Sequence, residues 1–323
     1  MTDTLARPPF DPELEAALAL VGDQIPPTLT AEMIPLMRSA ALYPGPTPQE
    51  VLEERGFVYR DVAIPGHAGD EIVVTVIHRE GRTGLGPGFF HTHGGGMIIG
   101  NRWLGVEGFL DWAERFNGVI VTVEYRLAPE FPDPYPVEDC YAGLVWTAEH
   151  ADELGIDPGR LLIGGASAGG GLAAGTTLLA RDRKGPPLIG QLLIYPMLDD
   201  RDETVSTKQI DGEGVWDRGS NVTGWTALLG DRRGTDDVSI YAAPARNTDF
   251  SNLPPAYIDA GSAEVFRDED VAYATRLWEA GVQAELHVFA GGFHGFDNFA
   301  PHASVSQAML AARDNWVNRL LGA

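Results

Sequence analysis

The chain of 323 residues has one cysteine, Cys140, so no internal disulfide can form. A lone thiol makes a reducing compartment the simpler expectation. Lysine is almost missing too, with Lys184 and Lys208 the two in the chain. The 23 basic residues face 46 acidic ones, a formal charge of −23. That excess of carboxylates disfavours nucleic acid and anionic membranes as partners, because phosphates would be repelled. No run approaches the ~18 apolar residues of a membrane span. The opening MTDTLARPPFDPELEAAL carries acids early and no apolar core of signal-peptide length. No membrane insertion and a cytoplasmic location are therefore expected. Internal repeats and low-complexity segments are also lacking.

What is present reads as an alternation of strands and helices. Residues 11 to 42 hold two helical patterns, with Leu14, Leu18, Leu20 and Val21 marking one apolar face. Met33, Ile34, Met37 and Leu42 mark the other, Thr30 is placed as its N-cap, and Pro26-Pro27 breaks the chain before it. Pro44-Gly45-Pro46 then punctuates the chain. Residues 57 to 64 and 71 to 78 read as an antiparallel hairpin. Strands follow at 87 to 93, 118 to 125, 161 to 166, 189 to 195, 255 to 259 and 284 to 290. Helices are expected at 137 to 154, after the 161 to 166 strand, at 269 to 280 with Asp268 as N-cap, and at 304 to 321. Residues 199 to 233 break the pattern and read as an irregular lid or binding insertion. Such alternation implies a mostly parallel sheet covered by helices on both faces, with chemistry beyond the carboxyl ends of its strands.

The apolar run Leu161-Leu162-Ile163-Gly164 ends in Gly165-x-Ser167-x-Gly169. A strand, that turn and a small-residue helix are the context of a nucleophile elbow. Glycines two positions either side of Ser167 spare the turn a collision with a Cβ. The same string also fits a plain glycine-rich turn, so the other parts of a serine site decide. Four features follow strands and fall on one rim: Ser167, Gly94–Gly96, the Asp259–Asp268 loop and His294.

A serine nucleophile needs a base, a carboxylate to orient it, and donors for the oxyanion. His294, in Ala290-Gly291-Gly292-Phe293-His294-Gly295, is the base candidate, because it follows the acid in the order Ser…acid…His. His287 alternates with Leu286 and Val288 and is expected to face away from the core. His302 opens the last helix, where an exposed role fits. For the acid, Asp259, Glu264 and Asp268 are all candidates. Asp268 has a capping job and Asp259 ends its strand, so the mid-loop Glu264 is favoured. Gly94, Gly95 and Gly96 can turn their amides toward one point, and His93 can hold that loop by hydrogen bonding. A phosphate loop is the rival, but no Lys-Ser/Thr follows. His91 and His93 lack a nearby Cys or acid to complete a metal site.

Together HTHGGGMIIG (91 to 100), EYRLAPEFPDPYPVED (124 to 139), GGASAGGGLA (164 to 173), GSAEVFRDED (261 to 270) and FHGFDNF (293 to 299) resemble the hormone-sensitive lipase-like esterases. These are the bacterial HGGG group, family IV, of the α/β-hydrolase superfamily. The resemblance implies an α/β-hydrolase fold of one domain, 1 to 323, with a mostly parallel eight-stranded sheet. It implies a core of about 46 to 198 and 234 to 323, and a helical cap of about 1 to 45 and 199 to 233. It implies Ser167 as nucleophile, His294 as base, and the amides of Gly95, Gly96 and Ala168 as oxyanion donors, with Gly94 and His93 supporting the loop. Two departures stand out. Glu264 occupies a position usually held by Asp, and Ala166 replaces the usual Asp or Thr before the serine. The alignment favours Glu264 over Asp268 as the acid.

The expected activity is a serine carboxylesterase acting on a small-molecule ester, with short to medium acyl chains as the family expectation. An amidase, lactonase or peptidase would share every residue named, and a receptor that has lost catalysis is a different class. Trp216 and Trp225 could line an apolar pocket or equally glue cap to core. No metal or cofactor is implied. The last strand, at a sheet edge, is a candidate for pairing two copies.

Overall fold

The computed structural model describes residues 5–21, 26–39 and 46–322. Leu42, Pro44 and Gly45, and with them residues 1–4 and 22–25 of the expected cap, lie outside the described residues. Eight strands form one sheet: β1 (Phe57–Pro65), β2 (Glu71–Arg79), β3 (Gly86–Thr92), β4 (Val119–Glu124), β5 (Ile156–Ala166), β6 (Gly190–Ile194), β7 (Ala256–Gly261) and β8 (Ala284–Phe289). Their spatial order is β1-β2-β4-β3-β5-β6-β7-β8. The expected hairpin is there, with Phe57 opposite Arg79 and Pro65 opposite Glu71. β2 runs antiparallel to β4 as well, and every pairing from β4 onward is parallel.

Helices cover both faces because successive residues of a strand point to opposite sides. Leu161 and Ile163 of β5, Leu193 of β6 and Ile258 of β7 enter one core. Leu162, Leu192, Ile194 and Tyr257 enter the other. A one-residue slip would exchange the two sets, and each such aliphatic side chain gains about 2 kcal/mol by burial, so the register is strongly held. The first core is closed by α5 (Tyr135–Glu149), α7 (Ala168–Asp182) and α10 (Arg267–Glu279); α6 (Ala151–Leu154) packs on β5 beside it. The second is closed by α1 (Pro12–Val21), α3 (Pro48–Glu54), α4 (Leu110–Arg115) and α12 (Ser304–Leu321). Leu14 of α1 is fully buried there, whereas Leu20 is 81% exposed, so the apolar face of α1 is narrower than its leucines imply.

The remaining helices sit near the strand ends. α2 (Ile34–Ser39), α8 (Val205–Gln209) and α9 (Arg218–Leu229) come from the two segments expected to form a cap, and α11 (Phe296–Phe299) follows His294. The 199 to 233 stretch is thus more regular than its sequence implies. Asp217 caps α9 by accepting from the Ser220 amide at 2.7 Å, and a helix that carries Gly219, Asn221, Thr223, Gly224 and Thr226 masks the usual periodicity. The N-terminal segment is tied to this region. Thr28 Oγ1 donates to Asp217 at 2.5 Å, and the Leu29 amide donates to Ser220 Oγ at 2.8 Å. Arg38 on α2 donates to the carbonyls of Ile98 and Ala128, both at 2.7 Å, and pairs with Glu130.

Two further expectations are corrected, and a third holds in position alone. Thr30 stands at the N-cap of its helical turn but makes no side-chain cap bond. Asp268 lies inside the first turn of α10, whose N-cap is Phe266; its carboxylate accepts instead from the Ser206 amide at 2.8 Å. His287 does not turn from a core: it is half-buried and its ring lies 5.5 Å from that of Tyr257, because the sheet has a core on each side. His302 is exposed as expected. No helix among the described residues is long and apolar enough to cross a membrane.

Candidate functional site

Ser167 stands between the end of β5 and the start of α7, with φ +60° and ψ −125°. A serine rarely adopts that conformation, and it persists where surrounding bonds over-determine it. Here the Ser167 amide donates to Ile194 O at 2.9 Å, and Ser167 O accepts from the amides of Gly171 and Met197 at 3.0 Å. The flanking glycines are required by close approach. A Cβ on Gly165 or Gly169 would fall 2.3 or 2.1 Å from the Thr92 carbonyl oxygen. β3 and the start of α7 therefore meet directly at the elbow.

His294 Nε2 lies 2.9 Å from Ser167 Oγ, and Nδ1 lies 2.8 Å from Glu264 Oε2. The second Glu264 oxygen accepts from the Gly261 amide in a very short bond. Glu264 is 1% exposed, so its carboxylate is held on both oxygens inside the protein. A carboxylate can only accept, which puts the imidazole proton on Nδ1 and leaves the Nε2 lone pair toward the serine hydroxyl. The His294 ring packs edge-to-face with Tyr195 at 4.9 Å and Phe266 at 5.0 Å.

The other acid candidates are engaged elsewhere. Asp259 is fully buried and receives Arg313 Nε at 2.6 Å. Burial pushes its carboxyl up against the opposing pull of Arg313. Asp268 is taken up by Ser206, and Glu269 beside it accepts from the amides of Leu198 at 2.7 Å and Asp199 at 3.1 Å.

The glycine loop lies against the elbow: a Cβ on Gly94 would be 2.9 Å from Ala166 O and 3.5 Å from the Ser167 Cβ. Gly95 and Gly96 take φ +106° and +61°. Among the described residues no backbone carbonyl accepts from the amides of Gly95, Gly96 or Ala168. Three N–H groups beside one serine can stabilise a developing oxyanion. His93 stacks on Tyr125 with ring centroids 4.0 Å apart, its Nδ1 donates to Gly94 O at 2.8 Å, and Tyr125 Oη donates to His93 O at 2.8 Å. Burial lowers the His93 pKa to about 4 and that of His91 to about 3, so both are neutral at pH 7. His91 bonds Thr122 through Nδ1 at 2.9 Å. Among the described residues no group of three or more His, Cys, Asp or Glu is arranged to hold a metal ion.

Both tryptophans are buried in the same core, and Trp216 also reaches the glycine loop, where a Cβ on Gly96 would meet its ring. A groove of about 380 Å³ opens between Ala31, Ile34 and Pro35 of the N-terminal segment and Val222, Thr226 and Ala227 of α9, and none of the hydrogen-bonded relay lines it. Tyr195 and Phe266, the two rings against His294, are absent from the sequence-based candidates. Tyr195-Pro196 closing β6 signals a turn, but nothing in the string points from it to His294.

A family model described as an alpha/beta hydrolase fold matches residues 89–298. Carboxylesterase NlhH of Mycobacterium tuberculosis is 35% identical over 300 residues, covering 92% of this chain and 92% of its own. Esterase LipI of the same organism is 33% identical over 225 residues, covering 66% and 67%. Among solved structures, a bacterial heroin esterase superposes with a TM-score of 0.86 at 39% identity, covering 97% of this chain and 98% of that one. Brefeldin A esterase, described as a bacterial homologue of human hormone sensitive lipase, gives 0.78 at 27%, covering 97% and 93%.

Proposed function

This chain belongs to the α/β-hydrolase fold family and is a carboxylic-ester hydrolase, and from that premise we propose that Ser167 is its nucleophile. The observation that carries the reading is the unbroken relay Ser167–His294–Glu264, with contacts of 2.9 and 2.8 Å. His294 takes the serine proton as Oγ attacks the ester carbonyl, and the amides of Gly95, Gly96 and Ala168 hold the oxyanion. His294 then protonates the departing alkoxide, and water repeats the sequence on the acyl-enzyme. Glu264 fixes the tautomer and offsets the imidazolium charge without taking its proton.

The N-terminal segment and residues 199 to 233 act as the cap over this rim. Trp216, standing on Gly96, limits the room beside the oxyanion loop and so helps set which acyl group fits, short to medium chains being the expectation. The outer edge of β8, the end strand of the sheet, is the surface through which two copies would pair, and sedimentation velocity tests that. An amidase, lactonase or peptidase would use the same relay, so matched ester and amide substrates separate those readings.

The deciding experiment is covalent. A fluorophosphonate should label the wild-type chain at Ser167 and leave Ser167→Ala unlabelled, and Ser167→Ala should lose hydrolysis of a short aryl ester. Persistent hydrolysis in that variant would overturn the assignment, and a wild type that is never labelled would point to a ligand receptor.

A further inference from the structure

Close to the imidazole lies a buried ionic cluster that the relay itself does not use. Arg313, on α12 and 5% exposed, donates from Nε to Asp259 at 2.6 Å and from Nη1 to Asp297 at 2.5 Å. Its Nη2 also reaches Asp259 at 3.3 Å and Met309 Sδ at 3.0 Å. Asp297 belongs to α11, three residues past His294. Asp259 belongs to β7, five residues before Glu264. One guanidinium therefore clamps the loop carrying the base to the strand that leads to the acid.

Tyr195 completes the arrangement. Its hydroxyl donates to Asp297 Oδ1 at 3.1 Å, its amide donates to Asp259 O at 2.8 Å, and Arg313 lies over its ring at 5.5 Å. The same ring is the edge-to-face partner of His294. Asn298 Nδ2 also donates to the Tyr195 hydroxyl, at 3.2 Å. Burial opposes the charge on Arg313, but the two carboxylates more than offset it and keep the guanidinium protonated.

We propose that Arg313 is a positioning residue for the esterase reaction, acting through Asp297 and Tyr195 to hold His294 between Ser167 and Glu264. The proposal rests on the relay reading above. Three elements contribute to the clamp (β7, α11 and α12), which ties the loop carrying His294 to the sheet and to the last helix. A cluster of one cation and two carboxylates also leaves a net negative charge near the ring. The charged and titratable groups around His294 are then Glu264, Tyr195, Asp259, Asp297 and Arg313, with Glu269 and Asp270 beyond Glu264 on α10. A base displaced by about 1 Å can lose about 100-fold in rate, and smaller displacements lose less.

The test uses the full-length protein and an aryl ester, with every rate divided by the fraction of sites that a fluorophosphonate titrates. Arg313→Met should lower kcat per titrated site about 10- to 100-fold with KM little changed, and Arg313→Lys should recover part of it. Asp297→Asn removes the carboxylate with one contact to Arg313 and keeps Asp259, which makes two, so it should be less stable than wild type and still fold. By removing one negative charge near the imidazole, it should move the acid limb of kcat/KM to lower pH. The proposal fails if Arg313→Met keeps wild-type kcat per titrated site, or loses only the number of titrated sites. It also fails if the acid limb of Asp297→Asn does not move. A wild type that neither titrates nor hydrolyses the ester would instead defeat the relay reading.

Discussion

Trp216 rests on Gly96: a Cβ built on that glycine would come within 2.3 Å of Cη2 and 2.8 Å of Cζ2 of the indole. Gly96 also holds φ +61°, which a side chain rarely adopts. Gly96→Ala should therefore displace the loop and lower kcat about 100-fold, the scale of losing one oxyanion donor. The double variant Gly96→Ala/Trp216→Ala relieves the collision but not the backbone strain, so it should recover part of the loss. Steady-state rates on one short ester check both, and a single variant with wild-type kcat would refute the contact's importance.

Glu264 and Asp259 are both buried carboxylates, and their removal should have different effects. Glu264 accepts two donors, His294 Nδ1 and the Gly261 amide. A glutamine side chain has one acceptor oxygen, so in Glu264→Gln one of these donors faces an NH₂ group and the imidazole is driven toward the wrong tautomer. Glu264→Gln should lose about 10³- to 10⁴-fold in kcat and, with one buried donor left unpaired, about 1 to 3 kcal/mol of stability. Asp259→Asn breaks a buried ion pair and should cost about 3 to 5 kcal/mol of stability. Kinetics and denaturant unfolding on the two variants separate them.

The relay and the sheet are legible in the sequence because each depends on local pattern. Branched apolar runs bounded by glycine and proline locate the eight strands, and the Ser167 elbow carries its own flanking glycines. The mid-loop place of Glu264 picks out the carboxylate that lies 2.8 Å from His294 Nδ1. What the string hides is long-range. Arg313 lies 54 residues from Asp259 and 16 from Asp297, in a helix that looks amphipathic with or without it. Tyr195 reads as the last residue of a strand, and only the fold turns its ring onto His294. The α9 helix escapes the pattern because RGSNVTGWTALL pairs an Asp cap with residues of low helix propensity, and packing supplies what propensity lacks.

Acid should destabilise this protein through its histidines. His91 and His93 have pKa values lowered from 6.5 to about 3 and about 4 by burial. The unfolded chain therefore binds more protons than the folded one as pH falls below 6.5, and stability is lost in that direction. Each site contributes about 1.4 kcal/mol per pH unit inside its window, which runs from 6.5 down to about 4 for His93. Glu269 and Asp270, whose pKa values burial raises well above the ordinary carboxyl range, work the opposite way and soften the slope. His91→Gln can keep the bond to Thr122 and should flatten the loss between pH 6.5 and about 5. Urea midpoints across that range, at constant m-value, provide the measurement.

The strain at Ser167 gives a prediction in which activity and stability part company. Its φ of +60° with ψ −125° costs a non-glycine residue about 1 to 3 kcal/mol. Ser167→Ala removes the hydroxyl and keeps that cost, whereas Ser167→Gly removes both. Glycine gives back about 0.5 to 1 kcal/mol through the greater freedom of the unfolded chain. Ser167→Gly should therefore be more stable than Ser167→Ala by about 1 kcal/mol, although neither hydrolyses esters. Equal unfolding midpoints would mean that the strain relieved only matches the roughly 0.5 to 1 kcal/mol that glycine gives back, and a less stable glycine variant would mean that the elbow stores no strain. A more stable glycine variant would mean the fold holds Ser167 against a backbone preference, through the Ile194, Gly171 and Met197 bonds that surround it.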